Sequence, residues 1–276
     1  KLLNLTVSAV SKSVARLEER LGTRLFERTT RSLTLTDAGL ALYEVYVRIL
    51  RELDEAESVL DSQETSPVGR LRIDVPIAYG HKIVLPVLLA FADRHPHLQF
   101  RVSFTDRFTD IIEEGIGLAV RIGSSDLWPA SLGHRLIGRE RKVFCSSPAY
   151  LKRRGMPQSD EDLGNYDCIL YGKADGSTLE WSFPHGDGRI EKRPMPARMV
   201  LGSAEAQVSA VLAGYGITQL PTWLIKDELA SGELVEILPH LSTSGLPLNL
   251  VWPQSRRLTP KMNALVEGLS GALLID

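Results

Sequence analysis

The chain has 276 residues, too many for one small domain and enough to bury at least one sizeable core, with two domains as the expectation. With 43% hydrophobic and 24% charged residues it has the make-up of a soluble globular protein. No apolar run approaches the roughly 20 residues needed to span a bilayer, and no basic, apolar leader opens the chain, so a cytoplasmic location is expected. The formal net charge of −2 is unevenly split: residues 1 to 36 carry seven Lys or Arg against three Glu, a formal +4, which leaves −6 on the rest. A basic head on a mildly acidic body points to a polyanion as the partner of the head alone.

The first element is SAVSKSVARLEERLG, Ser8 to Gly22. Val10, Val14, Leu17 and Leu21 recur at helical spacing and make one stripe for a core. The other side carries Ser8, Lys12, Ala15 and Glu19, sparse in the long paired charges of a solvated face, so something is expected to approach it closely. Thr6 sits at the N-cap position, and Gly22 marks a C-cap. RTTRSLTLTD, 28 to 37, alternates Leu33 and Leu35 with Ser and Thr and reads as a short two-stranded wing tipped by Arg28, Thr29, Thr30 and Arg31. Thr36 then caps a helix in which Leu42, Tyr46, Ile49, Leu53, Ala56 and Leu60 recur in heptad fashion. So narrow an apolar edge on so long a helix finds its simplest partner in a second copy, which predicts a homodimer.

SQETSPVG, 62 to 69, is a polar, Pro- and Gly-containing boundary. Beyond it, 71 to 75, 99 to 104 and 117 to 123 read as strands, separated by helical stretches at 82 to 95 and 109 to 115, an order that predicts a parallel sheet. A second set follows: a strand at 168 to 172, a hairpin whose turn is marked by Asp187 and Gly188, a helix at 205 to 214 and a strand at 216 to 221. One more strand at 247 to 253 precedes a closing helix. Cys145 and Cys168 stand too far apart for a redox or zinc pair and read as buried thiols. The six histidines show no zinc spacing, and no GxGxxG, Walker, HExxH or GxSxG motif occurs, so an enzyme is not expected. In SSPAYL a helix start with Ser and Pro accounts better for the serines than a nucleophile does.

TVSAVSKSVARLEERLGTRLFERTTRSLTLTDAG in the head, with GRLRIDVP, LLAFADRHP, RIG, SSPAYL, LAGYGITQLP and WPQSRRLTPKM along the body, resembles the LysR-type transcriptional regulators over essentially the whole chain. The resemblance implies an α+β multidomain protein: a winged helix-turn-helix, here N-terminally incomplete, at 1–36, a dimerising linker helix at 37–65, and an effector-binding domain at 68–276. That last part would be a two-lobed α/β unit of periplasmic-binding-protein type, with lobe I at 68–143 plus 245–276 and lobe II at 144–244. The family's head normally begins some two dozen residues earlier, and Gly117 stands where the family usually has Asp.

On this resemblance Thr6, Val7, Ser8, Ser11, Lys12 and Arg16 would meet the major groove of promoter DNA, with Arg28, Thr30 and Arg31 on the minor groove or backbone. Leu42, Tyr46, Ile49, Leu53, Ala56 and Leu60 would join two copies, and dimers would pair into a homotetramer. An unidentified small-molecule effector would lie among the strand-end loops of the two lobes, near Ile77, Ala78, Tyr79, Phe104, Thr105, Arg121, Ile122, Tyr171, Gly202, Ser203 and Pro221. An Arg at a strand end is at least as often a partner for a nearby carboxylate, so Arg121 carries both readings. No cofactor or metal is implied. A stand-alone solute-binding protein and a two-lobed enzyme are the alternatives.

Overall fold

The computed structural model describes residues 6–28, 33–60, 67–107, 109–123, 128–186, 188–254 and 258–273. The chain divides into two compact units, Lys1–Glu64 and Thr65–Asp276. In the first, helix α1 (Val7–Leu21) starts where Thr6 leaves the extended region and its side chain accepts from the Ala9 amide. It ends at Gly22, whose φ of 65° is the left-handed conformation that lets Gly22 and Thr23 donate back to the carbonyls of Glu19 and Glu18. Strands β1 (Phe26–Arg28) and β2 (Leu33–Leu35) pair antiparallel, with Phe26 opposite Leu35. Thr30, Arg31 and their neighbours at the tip lie outside the described residues.

Helix α2 (Asp37–Leu60) follows at once, opened by Thr36, whose hydroxyl accepts from Gly39 and donates to the Arg24 carbonyl. Gly39 is required by contact: a Cβ there would overlap the carbonyl of Leu25. Leu25 is the one fully buried apolar side chain among the described residues of this unit. The expected core stripe of α1 is therefore only partly covered, with Val14 and Leu17 half-buried and Val10 and Leu21 exposed.

The second unit opens with β3 (Gly69–Val75), then α3 (Ile77–Tyr79), a π-helical turn at Gly80–Val84, and α4 (Leu85–Arg94). β4 (Leu98–Phe104) and β5 (Leu118–Ile122) both lie parallel to β3. The helix expected at 109 to 115 is instead a run of turns: Asp110 collects the amides of Ile112 and Glu113, and Gly115 turns the chain at φ 62°. Six residues before a left-handed glycine are too few to propagate a helix.

The long strand β6 (Leu132–Ser146) leads to α5 (Pro148–Arg154), which starts with Pro148 after Ser147. β7 (Cys168–Tyr171) is followed by the hairpin β8 (Trp181–Pro184) and β9 (Ile190–Arg193); Gly188 has φ 82°, and Asp187 lies outside the described residues. Then come β10 (Ala197–Leu201), α6 (Ala204–Leu212), β11 (Ile217–Pro221), α7 (Lys226–Ser231), β12 (Val235–Ile237), β13 (Thr243–Pro253) and α8 (Pro260–Ala272).

The main sheet runs β10-β7-β11-β6-β13-β5-β3-β4, with β12 also on β6. The β5-β3-β4 end is parallel, as the sequence order predicts, and the β10-β7-β11 end is parallel too, but β6 and β13 cross the middle antiparallel to each other and to their neighbours β11 and β5. The sheet is therefore mixed. One core runs under β3, β5 and β13 (Ile73, Val75, Val120, Leu250) and on to Val211 and Leu220; another gathers Phe144, Tyr150, Leu163, Leu170 and Phe183. Each such side chain contributes about 1.5–3 kcal/mol on burial.

Candidate functional site

Two surfaces carry chemistry. On α1, Ser8, Lys12, Ala15 and Arg16 are exposed and Ser11 half-buried. Among the described residues Lys12 and Arg16 make no ion pair, which leaves their charges available to an anion. Thr6 at the helix start also touches Ser8, hydroxyl to hydroxyl, at 3.2 Å. Behind this face Glu18 binds the amides of Leu25 and Phe26 at 2.7 and 3.2 Å, so the helix is fastened to the first strand of the wing. The Arg28 backbone pairs with Leu33. Along α2, Tyr46, Ile49 and Leu53 are exposed and Leu42 half-buried; the side chains of Ala56 and Leu60, like that of Val7 in α1, are outside what is described.

The second surface is a cavity of about 360 Å³ in the larger unit. The ends of β3, β4, β5, β7 and β11 supply its rim, and the middle of β6 supplies Glu140 and Lys142. Strand ends with their loops make such cavities because side chains and free peptide groups converge there. One wall is aromatic: Tyr79 meets Trp223 edge to face, centroids 5.0 Å apart. Trp223 Nε1 donates to Glu140 Oε1 at 3.1 Å, and the Leu246 amide donates to Oε2 at 3.3 Å. Gln219 grips the backbone of Ser182 from both sides, accepting from its N–H at 2.9 Å and donating to its carbonyl at 2.7 Å, which pins the β8–β9 hairpin beside the cavity.

Burial sets the electrostatics. It pushes the Glu140 carboxyl above its ordinary range, although Lys142 and the two donors pull the other way. It holds the Lys142 ammonium below the usual lysine range, with Glu140 opposing and Lys192 reinforcing. The Tyr79 hydroxyl is pushed up, first by burial and then by Glu140, and so stays a neutral phenol.

The matches to known proteins follow this division. Residues 1–40 match the model of the bacterial regulatory helix-turn-helix protein, lysR family, and residues 64–273 match the LysR substrate binding domain. The chain belongs to the LysR family. It is a ligand-responsive, DNA-binding transcriptional regulator with a helix-turn-helix head and an effector-binding body, and its family is not enzymatic. An HTH-type transcriptional regulator of Haemophilus influenzae is 36% identical over 265 residues, 96% of this chain and 91% of the relative. The regulator CrgA of Neisseria meningitidis is 31% identical over 271 residues, 96% of this chain and 89% of CrgA. The CrgA structure superposes with a TM-score of 0.67, covering 99% of this chain and 91% of that one. Full-length AphB, at 23% identity and a TM-score of 0.71, shares the fold. The helix-turn-helix match removes the stand-alone solute-binding alternative.

In this LysR-type regulator Ala78, Tyr79, Thr105, Arg121, Ile122, Tyr171 and Pro221 line the cavity, whereas Ile77, Phe104, Gly202 and Ser203 do not. Ile77 offers its amide to Asp106, Phe104 stacks on His81, and the Ser203 hydroxyl is used to cap α6. Arg121 lies at the cavity, but its guanidinium is held by Asp74 at 2.6 Å with both side chains almost wholly buried, so of its two readings the carboxylate partner is the one present. Sequence reasoning missed Glu140, Lys142, Trp181, Gln207, Gln219 and Trp223. For the first two a signal existed: in RERK, 139 to 142, strand alternation turns 140 and 142 to the same side. No group of three His, Cys, Asp or Glu side chains among the described residues is placed to hold a metal ion, and no described helix is long and apolar enough to cross a membrane.

Proposed function

We propose that this regulator lays α1 in the major groove of its promoter, with Thr6, Val7, Ser8, Ser11, Lys12 and Arg16 toward bases and phosphates and Arg28, Thr30 and Arg31 on the flanking backbone or minor groove. Supporting this, the exposed face of α1 combines small side chains with the charges of Lys12 and Arg16, which make no ion pair among the described residues. Two copies join along Leu42, Tyr46, Ile49, Leu53, Ala56 and Leu60, so that two heads read related half-sites, and dimers pair further into tetramers. Work of this kind belongs in the cytoplasm.

The effector occupies the cavity between lobe I, 68–143 with 245–276, and lobe II, 144–244. Its leverage on the heads equals its differential affinity for the two lobe arrangements, typically about 1–3 kcal/mol. The exposed polar face of α1 carries the reading. A gel-shift titration of the full chain on its own upstream promoter, with salt varied, tests it. Binding is expected to be tighter than to random duplex and to weaken with salt, less steeply once Lys12 or Arg16 is replaced by Ala. Affinity that neither exceeds that for random duplex nor responds to salt overturns it.

A further inference from the structure

Two segments far apart in the chain are joined beside the cavity through one ammonium group. Lys82, in the π-helical turn after α3, donates to the Leu224 carbonyl at 2.8 Å and faces Asp227 Oδ2 at 3.1 Å and Glu228 Oε2 at 3.7 Å. Its N–H groups thus meet oxygens from the turn after β11 and from the start of α7. Asp227 is largely exposed, and that contact alone contributes little. Glu228 Oε2 is out of water and without a hydrogen bond among the described residues, so there the opposite charge of Lys82 counts for more. The same two segments touch a second time, where Tyr79, just before the π-helical turn, packs edge to face on Trp223, just before Leu224. Tyr79 is itself held fast, fully buried, with its hydroxyl donating to the Leu273 carbonyl at 3.4 Å. One such contact lets a segment swivel on the other, whereas two fix its angle. The bond from Trp223 to Glu140 adds no such lever, because Glu140 lies in β6, the strand that passes from one proposed lobe to the other.

We infer that Lys82 is a positioning residue: by clasping Leu224, Asp227 and Glu228 it keeps Trp223 against Tyr79 and fixes the angle between the lobes at which that aromatic wall exists. Tyr79 and Lys82 stand in lobe I and Trp223 to Glu228 in lobe II, so both contacts run between the lobes. The clasp uses only residues of this chain, and it therefore sets the resting arrangement whose free energy any effector has to shift. The inference rests on the division of residues 68–276 into two lobes, and it adds the side chain that holds them.

Pulsed electron spin resonance on the full chain tests it. Spin labels on Glu113→Cys in lobe I and Ala174→Cys in lobe II report the distance between the lobes, and labels on Asp93→Cys and Glu113→Cys, both in lobe I, serve as the control. All three sites are exposed and the two native thiols are buried, and labelled chain is diluted into unlabelled so that each distance lies within one copy. The distance between the lobes is expected to be narrowly distributed in the parent and in Lys82→Arg. It should widen by several ångströms in Lys82→Met and in Asp227→Asn combined with Glu228→Gln, while the control distance stays as it was. The double variant removes the clasp from its other side should Lys82→Met fail to fold, which thermal unfolding reports. A distance between the lobes as narrow in a folded clasp variant as in the parent, or as wide in Lys82→Arg as in Lys82→Met, overturns the clasp and leaves the lobes standing. Equal widening of the control pair shows general loosening, and the clasp and the division into lobes then fall together.

Discussion

Trp223 donates to Glu140 across 3.1 Å and so ties the segment after β11 to the middle of β6, in the wall of the cavity. Trp223→Phe keeps an apolar ring and removes the donor, leaving a buried carboxylate oxygen unpaired. The expected loss is about 1–3 kcal/mol in urea unfolding. An unchanged midpoint would mean that the bond contributes nothing.

Glu140 also sets a pH dependence. Its native carboxyl titrates above the ordinary carboxylate range, so between the unfolded and native values the folded chain holds a proton that the unfolded chain has released. That share of stability is complete below the unfolded value and is lost as pH rises through the native one. Stability measured by denaturant across this window should fall with rising pH, and Glu140→Gln should flatten the slope.

Asp74 and Arg121 form a pair that neither residue can leave alone. Arg121→Met strands the carboxylate among buried residues at an expected cost of about 3–5 kcal/mol. Combining it with Asp74→Asn should cost less than the sum of the two single changes. Simple additivity in a double-mutant cycle would show that the two do not interact.

At Gly39 two effects oppose each other. Alanine is the better helix former by about 1 kcal/mol, but its Cβ would overlap the Leu25 carbonyl and push the start of α2 off the wing. The clash should win, with a net loss of about 1–3 kcal/mol, seen as faster hydrogen exchange at Leu25, Phe26 and Gly39. Slower exchange there would contradict it.

Both thiols are buried, and burial pushes Cys145 up and Cys168 up to about 11. At neutral pH the thiolate fraction is negligible. The native chain should therefore resist a disulfide reagent that labels both cysteines within minutes in denaturant.

The exposed seam of α2 gives the last test. Replacing Ile49 and Leu53 by Glu together places charge in the proposed helix contact. Sedimentation should shift from dimer or larger to monomer, while the fold of the effector-binding body, followed by its thermal unfolding, persists.

The sequence determined what depends on near neighbours along the chain. The caps at Thr6 and Gly22, the periodicity of α1 and α2, the alternation in β2 and the strand-helix-strand order of β3 to β5 each follow from residues a few positions apart. Local reasoning failed at 109 to 115, where helix-forming residues yield to a left-handed glycine. The family was legible because the head's residues recur in a specific order. The inside of the cavity was not, because Glu140 and Lys142 sit in RERK, which reads as solvated charge. Only the placement of β6 at the centre of the sheet, with Trp223 and Leu246 brought against it from 83 and 106 residues away, takes those charges out of water. The reach of a hydrogen bond is three ångströms whatever the distance along the chain, so which polar groups meet is decided by strand order, and strand order belongs to the whole fold.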